Sequence, residues 1–203
     1  MQNHQIKFPR TAHYYTLGTP SLEIKKFFLV FHGYGQLASQ IIHKFDQIGE
    51  ECFVLAPEGF SRFYWNEKKG IVGASWMTKK DRISEIEDYC NYIEHLFHLY
   101  KKKLSEDVQI NVLGFSQGGA TAVRWIERNR PPFKNLILWG AAFPMDLQYL
   151  PMKEYLAGKN LHVVYGRQDE FLTDERVQMQ EMFTKQQELN FEMTWFDGKH
   201  EIN

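Results

Sequence analysis

The chain of 203 residues is 43% hydrophobic and 24% charged, which is enough apolar material for one sizeable core and too much for a disordered segment. No run approaches the ~18 apolar residues that a membrane-spanning helix needs. A formal net charge of −1 leaves no general basic field to hold nucleic acid or an anionic bilayer, so neither is an expected partner.

In chain order, residues 14–17 read as an antiparallel edge strand and residues 27–31 as a buried strand. Leu37, Ile41, Ile42, Phe45 and Ile48 then fall at helical spacing. Residues 52–56 form a second buried run closed by Pro57, and the stretch from Pro57 to Trp76 reads as a long loop. Ile83, Ile86, Tyr89, Cys90, Ile93, Leu96, Phe97 and Tyr100 give the strongest amphipathic helix, and Lys101, Lys102 and Lys103 complement the negative end of its dipole. Residues 108–113 predict a strand, and the small residues from Gly118 open a helix that Pro131 and Pro132 forbid from continuing. Strands over 136–139, 161–165 and 191–196, with a weaker helix over 174–189, complete the alternation.

Strands regularly separated by helices predict a mostly parallel sheet with helices on both faces, because each parallel connection needs a crossover. With no repeat and no linker, residues 1–203 are expected to form a single domain. Cys52 and Cys90 stand in apolar segments without zinc or disulfide spacing. The start, from Met1 to Lys7, lacks the apolar stretch of a secretory signal, which predicts a cytoplasmic protein.

In a parallel sheet, chemistry gathers at the loops beyond the carboxyl ends of the strands. One such loop is Gly114-Phe115-Ser116-Gln117-Gly118, a G-x-S-x-G elbow between a predicted strand and a predicted helix. A serine on so sharp a turn needs glycines beside it, and the following helix presents its positive end to developing negative charge. Outside that context the pentapeptide would be a tight turn bearing a surface serine. A serine hydroxyl needs a base, and the base needs an orienting carboxylate. His4, His13, His43, His95, His98 and His162 sit near the N-terminus or inside elements. His200 lies in a loop after the last strand, following Ser116 in the Ser, acid, His order of this type of site. Asp169 follows the strand over 161–165 and is the expected acid; Asp146 is the alternative, with Glu170 and Asp197 behind it as ordinary loop carboxylates.

Two N–H donors must face the oxyanion of a tetrahedral intermediate. They are expected from Gln117, next after the nucleophile, and from Tyr34 in His32-Gly33-Tyr34-Gly35. His32 precedes Ser116 and reads as a loop-stabilising group. The roughly twenty residues between Trp139 and Leu161 are too few for a separate cap domain, so the site is expected to be open. Trp65, Trp76 and Phe143, helped by Phe63 and Tyr64, are the expected apolar wall for substrate, although aromatics of this kind also serve simply to pack loops onto a sheet.

Together, the H-G-x-G opening, the Gly114 to Gly119 elbow, the G-x-x-D at Gly166 to Asp169 and the G-x-H at Gly198 to His200 resemble the phospholipase/carboxylesterase family of α/β-hydrolases, which includes the acyl-protein thioesterases. The resemblance covers most of the chain. It implies an α/β-hydrolase fold and hydrolysis of a carboxylic ester or thioester through Ser116, His200 and Asp169, with Tyr34 and Gln117 at the oxyanion and with neither metal nor organic cofactor. The sequence departs from that family after Trp76, where Met77 and Thr78 replace an aromatic-Asp continuation, and at residues 139–144. Peptide or lactone hydrolysis on the same residues, and a non-catalytic binding role, are the competing readings; oligomeric state is not legible.

Overall fold

The computed structural model describes residues 1–2 and 4–202. Its strands are β1 (Tyr14–Leu17), β2 (Lys26–Phe31), β3 (Cys52–Pro57), β4 (Ser61–Asn66), β5 (Ile71–Ser75), β6 (Gln109–Phe115), β7 (Asn135–Trp139), β8 (Asn160–Gly166) and β9 (Glu192–Phe196). The helices are α1 (Ala38–Ile42), α2 (Arg82–Lys101), α3 (Gln117–Asn129), α4 (Lys153–Leu156) and α5 (Asp174–Gln186). Seven strands form one sheet in the order β1-β3-β2-β6-β7-β8-β9, parallel except for β1, which runs antiparallel to β3 at the edge.

Side-chain alternation along the strands explains why both faces are covered. On β2 and β3, Phe27, Leu29, Phe31, Phe53 and Leu55 point into a large core shared with Tyr89, Ile93 and Phe97 of α2 and Trp125 of α3. Their neighbours Val30, Val54 and Ala56 face the other way, against Ala38, Ile41 and Ile42 of α1. Period-two strands therefore divide their apolar residues between two helical layers, as a parallel sheet requires. Cys52 and Cys90 are both buried and unpaired, and burial pushes the Cys90 thiol up to about 12, so it behaves as a small apolar residue.

The segment expected to be a loop from Pro57 to Trp76 contains a separate two-stranded sheet, β4 paired antiparallel with β5. Asn66 accepts from the Lys69 backbone at 3.1 Å, and Gly70, at φ 63°, closes the turn. No continuous apolar face marks β4, most of which is exposed; its cross-strand partner and the loop after β2 hold it instead. Gly35 donates to the Ala74 carbonyl at 2.9 Å, and the Gln36 carbonyl accepts from Ala74 at 3.1 Å. The first predicted helix also departs from expectation, being α1 followed by a 3-10 turn at His43–Phe45.

The chain winds from β2 outward to β3, then crosses back to β6 on the other side of β2. The carboxyl ends of β2 and β6 therefore flank the point where the winding reverses, which is where such a sheet leaves a crevice. Their register, Phe31 opposite Gly114, brings the loop from His32 onward beside Ser116.

At the opposite end of the sheet, Asn111, Asn135 and Asn160 stand in register on β6, β7 and β8. Asn160 donates to Asn135 Oδ1 at 2.7 Å and Asn135 donates to Asn111 Oδ1 at 2.6 Å. Asn111 is 2% exposed; besides Asn135, its Oδ1 accepts from Gln109 Nε2 at 3.0 Å, and its Nδ2 donates to the Gln109 and Phe27 carbonyls at 3.1 and 3.4 Å. Replacing Asn135 with alanine is expected to cost ~1 kcal/mol of stability, since it removes one of the two donors to the buried Asn111 Oδ1 and the acceptor of the Asn160 amide. The check is a urea unfolding midpoint; an unchanged midpoint would contradict this role for the ladder.

Candidate active site

Ser116 occupies the bend between β6 and α3 at φ 51°, ψ −120°, a region that non-glycine residues avoid. Space around it is as tight as the glycines suggest. A Cβ on Gly114 would lie 2.4 Å from Gly119 Cα, and one on Gly118 would lie 2.3 Å from the Phe31 carbonyl oxygen. The Ser116 N–H is held by the Trp139 carbonyl at 2.9 Å.

His200 Nε2 lies 2.9 Å from Ser116 Oγ, and His200 Nδ1 lies 2.7 Å from Asp169 Oδ2. An ionised carboxylate only accepts, so Asp169 places a proton on Nδ1 and leaves the Nε2 lone pair facing the serine hydroxyl. Asp169 is itself fixed: its side chain is 3% exposed, and its Oδ1 accepts from the Phe171 N–H at 2.9 Å. The loops after β8 and β9 are stitched together by Arg167 N–H to the Phe196 carbonyl and Gln168 N–H to the Gly198 carbonyl, both 2.9 Å. The imidazole packs between the rings of Phe115 and Phe171, with centroids at 4.9 and 4.8 Å. Trp139 Nε1 donates to the Glu201 carbonyl at 2.8 Å and anchors the chain just beyond His200.

Asp146, the alternative acid, is occupied elsewhere. Burial raises its pKa, but hydrogen bonds and charge from Arg124 and Arg82 outweigh that and hold the carboxyl below its ordinary range. Asp197 is exposed and pairs with Arg167 at 3.4 Å, and Glu170 is exposed. Neither the Tyr34 nor the Gln117 backbone N–H has a hydrogen-bond acceptor among the described residues. The Gln117 side chain is engaged: Oε1 accepts from the Trp76 N–H at 3.1 Å, and Nε2 donates to the Met77 carbonyl at 3.0 Å. It ties the elbow to the end of the β4–β5 hairpin.

A cavity of about 600 Å³ opens over Ser116 and His200 and includes Gly33, Tyr34, Gln36, Trp65, Phe171 and Arg176 in its lining. Tyr34 stacks on Phe63 at 5.2 Å and meets Trp65 edge-on at 5.8 Å. Of the three aromatics expected along the substrate wall, only Trp65 lines this cavity. Trp76 is 2% exposed, its indole donating to the His32 carbonyl at 2.9 Å and stacking on the His32 ring at 4.9 Å. Phe143 is 3% exposed and packs against Tyr149 and Phe191. Both are core residues because the loops carrying them fold back onto the sheet, and residue type alone does not separate a ring facing the core from one facing a cavity. Gln36, Phe171 and Arg176 escaped sequence reading. The first continues the glycine-rich loop and accepts from Gly33 N–H at 2.9 Å; the other two follow the acid loop, and only the spacing from Asp169 hints at them.

Among the described residues, no group of three or more His, Cys, Asp and Glu side chains is placed to hold a metal ion, and no helix is long and apolar enough to cross a membrane.

The sequence matches the profile of the Serine hydrolase (FSH1) family over residues 22–202. The chain belongs to that family. No functionally curated protein matches the sequence significantly. Among solved structures, the acyl-protein thioesterase 2 of Zea mays is similar in fold at a TM-score of 0.72 and 13% identity, covering 95% of this chain and 93% of that one. A carboxylesterase from Mesorhizobium loti superimposes at 0.69 with 14% identity over 95% and 88% of the two chains. The Bacillus cereus carboxylesterase does so at 0.65 with 15% identity over 95% and 88%. At these identities the likeness is one of fold. This FSH1-family chain has the α/β-hydrolase fold, and the branch that its motifs resemble is met among its structural neighbours.

His32 braces the glycine-rich loop after β2. The ring is fully buried, Nε2 accepts from the Gly59 N–H at 3.0 Å, and Nδ1 therefore donates to the Gly33 carbonyl at 2.8 Å. Burial lowers its pKa from 6.5 to about 4. The unfolded chain takes up this proton near pH 6.5 and the folded one only near 4, so the stability carried by neutral His32 is complete above 6.5. It is lost as pH falls towards 4 and changes no further below that. Between pH 7 and pH 5 the wild type is expected to lose ~2 kcal/mol more than a His32→Gln protein. Urea midpoints of both proteins at the two pH values check this; equal losses would contradict a neutral buried His32.

Proposed function

We propose that this serine hydrolase cleaves carboxylic esters or thioesters through an acyl-enzyme, with Ser116 as nucleophile, His200 as general base and acid, and Asp169 as the orienting carboxylate. The observation that carries this reading is the unbroken hydrogen-bonded chain from Ser116 Oγ through His200 to buried Asp169, at 2.9 and 2.7 Å. In the reaction, Ser116 Oγ attacks the acyl carbon while Nε2 takes its proton, and Asp169 stabilises the imidazolium that results. The two unengaged N–H groups, of Tyr34 and Gln117, receive the oxyanion. Nε2 then returns the proton to the leaving alcohol or thiol, and water repeats the sequence to free the acid.

Several features of the site favour this chemistry. The strained serine projects its hydroxyl clear of the sheet, and the N-terminus of α3 directs its dipole at the developing charge. The cavity walls combine apolar rings of Tyr34, Trp65 and Phe171 with few polar groups, which suits an acyl substrate. Between β7 and β8 there is only a 3-10 turn at Leu150–Met152 and the short α4, so no inserted cap restricts entry from that side.

Ser116→Ala and His200→Ala are each expected to lower kcat on p-nitrophenyl butyrate and on an S-alkyl thiobutyrate by ~10³-fold or more, since the groups act as a unit. A Ser116→Ala protein with native circular dichroism and wild-type turnover would overturn the assignment.

A further inference from the structure

Among the described residues that line the cavity, Arg176 is the one cationic side chain beside the Asp169–His200 pair. Asp169 and His200 engage each other; Arg176 forms no ion pair among the described residues, although Asp174 and Glu175 share its helical turn. The residue is exposed, and its guanidinium has one hydrogen bond to direct it. It stands in the first turn of α5, where Thr173 caps its N–H at 3.3 Å, and its Nη1 donates to the Phe171 carbonyl at 2.7 Å. That bond uses one of five guanidinium donors, which leaves the remaining fork available to a ligand in the cavity.

The side of the cavity matters. The unengaged N–H groups of Tyr34 and Gln117 belong to the ends of β2 and β6, whereas Arg176 follows β8, two strands further along the sheet. Phe171, which holds the guanidinium, also packs edge-on against the His200 ring at 4.8 Å. Arg176 therefore lies on the histidine side of the nucleophile. Since Nε2 must hand its proton to the departing atom, that is the side from which the alcohol or thiol leaves.

We infer that Arg176 is a specificity-determining residue that binds a carboxylate carried by the leaving alcohol or thiol, making esters or thioesters with an anionic leaving group the favoured substrates. This rests on the hydrolase reading above. In the favoured reaction the Ser116 oxygen forms a bond to the acyl carbon and the carbon–oxygen or carbon–sulfur bond breaks. The proton taken by Nε2 passes to the leaving atom, and the carboxylate-bearing alcohol or thiol departs from its place beside Arg176. A planar guanidinium pairs with a carboxylate through two parallel N–H donors, which a neutral leaving group cannot use.

The test compares S-butyryl-3-mercaptopropionate with S-propyl thiobutyrate, which share the acyl group and differ by one carboxylate, and adds mono-S-propyl thioglutarate, which carries its charge on the acyl side. Released thiol is measured with Ellman's reagent. Wild type is expected to favour the first over the second by about tenfold in kcat/KM, chiefly through KM, and Arg176→Gln to bring that ratio to about one, with Arg176→Lys retaining part of it. Equal use of the first two by wild type, an equal loss on both in Arg176→Gln, or a preference for the acyl-side charge would each overturn the inference. Calorimetric binding of S-butyryl-3-mercaptopropionate to Ser116→Ala protein, with and without Arg176→Gln, reads the anion site without turnover. Absence of hydrolysis thereby condemns the hydrolase reading, and absence of Arg176-dependent binding condemns this one.

Discussion

The backbone of Ser116 is held in a conformation that costs of order 1–3 kcal/mol, and much of the surrounding structure can be understood as what holds it there. The bend is forced because β6 must end and α3 must begin within a single residue, while Gly114 and Gly118 let neighbouring backbone approach to distances a side chain would forbid. The Trp139 carbonyl on β7 accepts the Ser116 N–H, so the position of the nucleophile depends on the register between β6 and β7. That register is set at the far end of the same strands by the Asn111, Asn135 and Asn160 ladder and along their length by apolar packing. Strain at the elbow is thus sustained by the whole parallel sheet.

A second layer of restraint holds the loop opposite the serine. His32 is kept neutral and buried under Trp76, receives the Gly59 N–H and supports Gly33, while the β4–β5 hairpin pairs with Gly35 and Gln36. Gln117 reaches across from α3 to Trp76 and Met77. The residues flanking the two free N–H groups are therefore tied to one hairpin, so those donors can be set in place before a substrate arrives. Preorganisation of this kind is where electrostatic stabilisation of a transition state originates, because the dipoles need not reorient during reaction.

Sequence alone was informative where the physics is local. Short continuous apolar runs located the buried strands of the main sheet and the 3.6-residue period located the long helices, since burial on two faces or on one imposes those patterns. The elbow was legible because few residue types tolerate so sharp a turn, and Ser116, His200 and Asp169 lie within one hydrogen-bonded chain. What escaped reading depends on contacts distant in sequence. The β4–β5 hairpin shows no buried face on β4, and its stability comes from pairing with β5 and the loop after β2. Trp76 and Phe143 carry the same chemistry as Trp65, yet two of these rings pack inward and one lines the cavity, a choice made by loop paths. The Asn ladder requires the register of three strands, and Arg176 gains its interest only from what α5 is packed beside.

The central claim is that Ser116 is an activated nucleophile, and intact-mass spectrometry after incubation with a fluorophosphonate tests it most directly. One adduct per wild-type chain is expected, located on Ser116 by peptide mapping and absent from Ser116→Ala protein. Folded wild-type protein that takes up no adduct, or takes it up elsewhere, would contradict the account.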